Sequence, residues 1–425
     1  MSKKSLDLKQ GIKAHMIHTE LYKTNMVCII MTVPLNKENV TKNALLPFIL
    51  RRGTMHFPDQ YILNRELENM YGASFECGID KMGDNQILKF YIDTIHNEYT
   101  FENENILEKS IKMLLDIVFN PIFDDGKFKS DFLEIEKENL RKVIDSKIDD
   151  KDSYALEKCI SVMYKNQGFG IYKYGDVEDI ENITIDDLTE HYKKIIQEAK
   201  IDIFLSGNFD EKQVINIIEN DDNIKKLKPR IGNYILNNEF TESKQKVENF
   251  YEIEENMNIT QGKLVLGLDL LSNIENLQGI ALVYNAILGD GATSLLFQNV
   301  REKAGLAYST RSRFIKQKLN IFIQCGIQID NYEKALSIIK EQLEYIKLGN
   351  FTDEQIENAK TYLISGVKSA EEEQDTEIVF YIGQEISKTN LSLDEYIEKI
   401  KKVSKKDIID LANNIQINTV YFLRN

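Results

Sequence analysis

The chain has 425 residues, 42% of them hydrophobic and 28% charged, with a formal net charge of −15. That length sets an expectation of roughly two to four domains, and the composition is that of a globular protein with a sizeable core. The acidic balance argues against nucleic acid and anionic membranes as partners, because a phosphate surface is bound through Lys and Arg; it fits long-range attraction of basic peptides.

The opening MSKKSLDLKQGIKAH has no apolar run after its lysines, so no signal peptide is expected. No segment approaches the ~20 apolar residues of a membrane span. The expectation is a cytoplasmic protein. Cys28, Cys77, Cys159 and Cys325 are far apart and form no CxxC, which reads as free thiols rather than a disulfide framework or a metal site.

AHMIHTEL and MVCIIMTVPL then read as paired strands. Residues 40–52 and 60–71 have helical spacing, with Leu63, Leu67 and Tyr71 on one face. ASFECGIDKMGDNQILKFYIDTI reads as a hairpin turning at KMGDN. Helices are predicted in ILEKSIKMLLDIVF, stopped at Asn120-Pro121, in SDFLEIEKENLRKVIDSKI and in SYALEKCISVMY. A strand, IDIFLSGNFD, follows YGDVEDIENITIDDLTEHYKKIIQEAK.

The second half repeats this order. GKLVLGLDL is a strand, NLQGIALVYNAILG a helix ending at Gly289, and GLAYSTRSRFIKQKLNIFIQCGIQ a hairpin that matches the earlier one. Two long helices follow, then LSLDEYIEKIKKVSKKDIIDLANNIQ and a last strand, INTVYFL. A period of about 200 residues is a domain duplication, not a solenoid. The expected architecture is α+β: two homologous domains, each a mostly antiparallel sheet with helices packed on one face. The expected boundaries are an N-terminal domain at 1–221, a charged linker at 222–248 and a C-terminal domain at 249–425.

Two stretches carry functional information. The first is NALLPFILRRGT, residues 43–54, a helix ending at a glycine. The second is LGDGATSLLFQNVREKAGLAYS, residues 288–309. There Gly289 and Gly291 suggest a tight turn, followed by a short helix that Thr293 or Ser294 is placed to cap. It lacks the Gly-Lys-Ser/Thr of a phosphate-binding loop.

With these elements in this order, nearly the whole chain resembles the insulinase-like (pitrilysin, mitochondrial processing peptidase) zinc metalloproteases. The resemblance implies an inverted zinc motif, His-x-x-Glu-His, on the first long helix, followed by Gly-Thr. Gly53-Thr54 match that ending. The histidine positions then fall on Ala44 and Phe48 and the glutamate position on Pro47. A third ligand would fall near Asp145. Methyl and phenyl groups offer no lone pair to zinc, and proline cannot serve as a base on bound water. No zinc or other cofactor is expected, and the chain alone should not hydrolyse peptides. The five histidines offer no substitute: His15 and His18 face opposite sides of a strand, and His56, His96 and His191 read as solvated or packing residues.

The same resemblance implies that Arg301 and Tyr308, with Gly305 between them, contact bound substrate across a closed chamber. A guanidinium is a rigid fork of donors for peptide carbonyls or a carboxylate, and a phenol can donate to a developing oxyanion. Taken alone, an Arg paired with an acid and a Tyr packed in a strand would be the simpler account. The resemblance thus implies a non-catalytic subunit of a heterodimeric peptidase, partnered by a zinc-bearing paralogue and a peptide substrate, and it allows a homodimer when the chain is isolated. The alternative is a peptide-binding or scaffolding homologue without protease activity.

Overall fold

The computed structural model describes residues 3–102, 104–230, 250–271, 276–370 and 372–425. The first half of the chain forms β1 (Lys3–Lys9), β2 (Ile12–His18), β3 (Thr24–Pro34), α1 (Val40–Leu50), α2 (Gln60–Asn69), β4 (Ser74–Met82) and β5 (Asn85–Ile95). It continues through α3 (Ile106–Phe119), α4 (Ser130–Asp145), α5 (Lys151–Met163), α6 (Val177–Asn182), α7 (Ile185–Glu198), β6 (Lys200–Gly207), α8 (Glu211–Asn220) and α9 (Asp222–Lys226). The second half forms β7 (Tyr251–Asn256), β8 (Gly262–Leu270), α10 (Leu277–Leu288), a π-helical segment (Phe297–Lys303), β9 (Ala307–Ile315) and β10 (Asn320–Ile327). It closes with α11 (Tyr332–Lys347), α12 (Asp353–Ala370), α13 (Gln374–Ile386), α14 (Leu393–Lys401), α15 (Lys405–Ala412) and β11 (Ile415–Arg424).

Two sheets result, one ordered β1-β2-β6-β3-β5-β4 and the other β7-β11-β8-β10-β9. Without β1, the two orders correspond strand for strand. Each contains one parallel pair, β2 with β6 and β7 with β11, and is otherwise antiparallel. The duplication legible in the sequence is therefore a duplication of topology, and the fold is α+β.

Each sheet is apolar on both faces, which is why strands such as MVCIIMTV read as continuous hydrophobic runs. Val27, Ile29 and Met31 of β3 face the core shared with α1, α3, α4 and α7. Their neighbours Cys28 and Ile30 face the other way, and with Ile17, Ile87 and Phe204 they are covered by Ile378, Tyr381, Ile382 and Ile386 of α13. In the second sheet, Val265, Phe322, Tyr421 and Leu423 are covered in the same way by Ala155, Cys159 and Ile160 of α5. Each such aliphatic or aromatic side chain contributes roughly 1.5–3 kcal/mol when fully buried.

Compactness therefore divides the chain differently from sequence order. One unit draws on Met1–Ser146, Ile171–Asn237 and Glu372–Ile386, the other on Lys147–Gly170, Asn238–Glu371 and Ser387–Asn425. Helix α5 belongs to the second unit and α13 to the first. Of the expected linker, residues 231–248 lie outside the described residues, and Asp222–Lys226 is α9 of the first unit. Among the described residues no helix is long and apolar enough to cross a membrane.

Candidate functional site

Helix α1 carries the positions where the family resemblance implies zinc ligands. Ala44 is fully buried, Pro47 is buried inside the helix, and Phe48 is half-buried against the first unit's core. Pro47 has no N–H to donate to the preceding turn, while its carbonyl accepts from the Cys77 thiol at 3.3 Å. Burial pushes that thiol up to about 12, so it stays protonated. The donor set at these three positions does not fit a zinc ion: it consists of a methyl, a pyrrolidine and a phenyl ring.

The Gly53-Thr54 ending is built as the sequence suggests. A Cβ at Gly53 would lie 2.9 Å from the Phe57 carbonyl oxygen, so only glycine fits beneath the following turn. Thr54, fully buried, accepts the backbone N–H groups of His56 and Phe57 at its hydroxyl. Asp145, the remaining implied position, is exposed at the last residue of α4. The acid of α4 that reaches the end of α1 is instead Glu136, which is buried and paired with Arg52.

Beside Ala44, a buried polar chain ties α1 to its neighbours. His191 of α7 donates from Nε2 to Asn43 Oδ1 at 2.6 Å, and Asn43 Nδ2 donates to Gln86 Oε1 at 2.8 Å. Gln86 in turn donates to the carbonyls of Val40 and Lys173. Burial, with help from Lys42 and Lys194, lowers the His191 pKa from 6.5 to about 4, so the ring is neutral. His191 is thus packed rather than solvated, the two roles that its sequence context left open. Its bond to α1 has no sequence signal, because the two residues are 148 positions apart.

Among the described residues, one group of three ligand-type side chains lies within mutual reach: His15, Asp202 and Glu385. Its charges are already answered. Lys200 donates to Asp202 at 2.6 Å, Lys3 to Glu385 at 2.7 Å, and His15 Nε2 meets Asp202 at 2.9 Å. Desolvation opposes the charge of Asp202, but Lys200 and the hydrogen bond to His15 outweigh it and hold the carboxyl below its usual range; Glu385 is lowered in the same way by Lys3 and Lys200. With ammonium groups bonded to both of its carboxylates, the cluster is an ionic clasp holding α13 to β1, β2 and β6. It does not fit a metal.

Residues 289–308 are built differently. Helix α10 ends at Gly289, and the chain re-enters a helix at Leu295 that becomes π-helical from Phe297 to Lys303. Neither expected cap forms the helix start: the Ser294 hydroxyl donates to the Gly291 carbonyl at 2.7 Å, closing the glycine turn instead. π turns inside helices are rare and are found frequently at functional sites. Arg301 lies in this segment, with its guanidinium 4.7 Å from the Phe297 ring centre, 3.7 Å from Glu302 and 44% exposed. Gly305 then takes a left-handed φ of +62° with open space around it, and its N–H closes onto the Arg301 carbonyl at 3.1 Å.

The chain enters β9 through a register shift between Ala307 and Ser309 opposite Gly326 and Ile327. Tyr308 falls at this bulge and is 61% exposed, its Oη accepting from Gln328 at 3.3 Å. A bulge is a recognised way of turning a strand residue off its face. β9 is also the edge strand of its sheet. Arg301 and Tyr308 are therefore presented to solvent by adjoining irregularities of backbone, and neither is taken up by the core.

The family model described as Peptidase M16 inactive domain matches residues 182–363. The chain is 32% identical over 415 residues to "Probable inactive metalloprotease YmfF" of Bacillus subtilis, covering 97% of this chain and 96% of that protein. A crystal structure of a conserved protein from Enterococcus faecalis superimposes with a TM-score of 0.87 at 27% identity, covering 100% of this chain and 99% of that one. A chain of complex III2 from Candida albicans shares the fold, with a TM-score of 0.71 at 15% identity over 100% of this chain and 95% of that one. The chain belongs to the M16 metallopeptidase family, as a homologue of its inactive members.

Proposed function

We propose that this chain is the non-catalytic subunit of a heterodimeric M16 peptidase. In this reading it closes a peptide chamber with a zinc-bearing paralogue and supplies Arg301 and Tyr308 to the bound substrate. The observation that carries the reading is a contrast. The α1 positions are filled by core side chains without ligand atoms, whereas Arg301 and Tyr308 are held out of the core by a π turn, a left-handed glycine and a bulge. An exposed guanidinium and phenol contribute little to folding, so the fold itself does not call for them. Their chemistry suits extended peptide: the guanidinium for carbonyls or a chain-terminal carboxylate, the phenol for an oxyanion. The zinc and the base on its water belong, in this reading, to the partner, and no step of the reaction is assigned to α1.

The test is to mix the purified chain with a zinc-bearing M16 chain from the same genome and follow cleavage of a quenched fluorescent peptide. The mixture is expected to cleave faster than the partner alone, and this chain alone not at all. Equal rates with and without this chain would sink the proposal. Copurification with an assembly that has no peptidase subunit would favour the scaffolding alternative, for which Arg301 has no role.

A further inference from the structure

The hairpin of β9 and β10 is charged unlike the rest of the chain. The sequence holds 68 acidic residues, yet residues 303–329 contain Lys303, Arg311, Arg313, Lys316 and Lys318 and no Asp or Glu. Arg311 and Arg313 lie on the edge strand β9, two positions apart and so on one face, and both are exposed. Ser309 stands on the same face, and Tyr308 precedes it at the bulge.

Elsewhere in this acidic chain guanidinium groups meet carboxylates: Arg52 pairs with Glu136, Arg141 with Glu138 and Glu181, and Arg424 with Glu254. Among the described residues Arg311 and Arg313 form no ion pair. Arg311 is aimed by a neutral partner instead. Its Nε donates to Gln324 Oε1 at 3.1 Å, and Gln324, 5% exposed, is itself fixed by donating to the Asp152 carbonyl at 3.1 Å. That contact uses Nε alone and leaves the forked Nη pair toward solvent. The acids at the start of α5 are already committed. Asp150, its pKa lowered by its bonds to Ser153 and, more weakly, by the charge of Arg311, accepts from the Ser153 hydroxyl and from the N–H groups of Asp152 and Ser153. Asp152 holds Lys263 at 2.9 Å.

The backbone edge of β9 is closed at its middle. The Ser312 N–H donates to the Gly289 carbonyl at 2.8 Å, and the Ser312 carbonyl accepts from Asn285 at 3.4 Å. A ligand on this strand is therefore held by side chains and not as an added strand. Alternate residues of an extended chain lie about 7 Å apart, so Arg311 and Arg313 match two carboxylates at positions i and i+2 of an extended peptide.

We propose that the exposed face of β9 binds an extended acidic peptide segment, with Arg311 and Arg313 taking carboxylates at alternate positions. Guanidinium and carboxylate meet in bidentate, charge-assisted bonds, stronger than neutral ones. The assignment rests on the reading of Arg301 and Tyr308 as peptide contacts and extends it to the class of peptide. The net charge of −15 opposes an acidic peptide at long range, so the selectivity lies in the direct contacts.

The test uses the full chain and the fluorescence anisotropy of two labelled, blocked heptapeptides, one alternating Glu with Ser and the other Gln with Ser. The glutamate peptide is expected to bind saturably and at least tenfold tighter than the glutamine peptide. Arg311→Gln combined with Arg313→Gln is expected to weaken that binding at least tenfold at an unchanged melting temperature. Arg65→Gln, which removes an exposed cation of the first unit, should leave it unchanged. Hydrogen exchange on the unaltered chain needs no variant: the glutamate peptide should protect amides within residues 307–315. Equal binding of the two peptides, full affinity in the double variant, an equal loss in Arg65→Gln, or protection confined to other segments would each overturn the proposal. Absence of a rate gain in the mixed peptidase would sink the subunit reading without touching this titration, whereas a rate gain with no glutamate preference in the titration would sink the acidic-peptide site alone.

Discussion

Helix α1 directly follows β3, whereas the stretch 289–308 follows β8 and α10 in the duplicated sheet, and the two dispose of their side chains in opposite ways. Nine of the eleven residues of α1 are buried, and its polar members Asn43 and Thr41 spend their hydrogen-bonding groups on His191, Gln86 and Asp179. In the other stretch, Arg301, Glu302, Lys303 and Tyr308 are exposed, and the backbone departs from regular geometry where they lie. The first region lies in the core; the second is a surface of exposed polar side chains. The positions that the family resemblance implies for ligands are core positions in this chain and support stability.

Placing a ligand-type side chain on α1 tests how far that helix is committed to the core. Ala44→His adds an imidazole where no space exists and buries a polar ring, at an expected cost of roughly 3–5 kcal/mol in denaturant unfolding. A variant as stable as the parent would show that α1 is not committed to the core.

His191 tests the same region by pH. Its folded pKa of about 4 lies below the ordinary 6.5, so the unfolded chain binds the extra proton between these values. Stability therefore rises with pH across that window and is lost as pH falls from 6.5 toward 4, by about 3 kcal/mol in full. His191→Gln removes the titration and should flatten the unfolding free energy between pH 6.5 and 4. An unchanged slope would mean that His191 is solvated rather than packed against α1.

The second region is tested at the smallest scale. In the mixed peptidase, Arg301→Ala is expected to reduce turnover roughly 30-fold, or about 2 kcal/mol, and Tyr308→Phe about fivefold, near 1 kcal/mol. Both side chains are exposed, so the melting temperature should stay within a degree or two of the parent. A large drop in melting temperature would return them to a structural role and erase the contrast with α1.

Much of this was legible along the chain. The hairpin of β4 and β5 is announced by alternating apolar residues around Met82-Gly83-Asp84, and α1 by its spacing and by Gly53 at its end. The positions that the family resemblance implies for ligands follow from the register of Gly53-Thr54. Other features could not be read, for identifiable reasons. Continuous apolar runs such as MVCIIMTV report that both faces of β3 are buried but not by what, and the cover proved to be α13, some 350 residues away. Ser294 has the composition of a cap but closes a glycine turn, since a hydroxyl beside a tight turn has a nearer carbonyl to satisfy.

By itself, the sequence determined the duplication, the alternation of strands and helices, and which side chains occupy the α1 and 301–308 positions, because each is a matter of local periodicity or of residue identity. Only the tertiary structure decided the exchange of α5 and α13 between compact units, the clasp of Lys3, His15 and Lys200 on Asp202 and Glu385, and the buried, half-satisfied Asp116. Those depend on which residues meet across tens or hundreds of positions. Burial and charge pairing act on distance in space, and a local pattern carries no record of it.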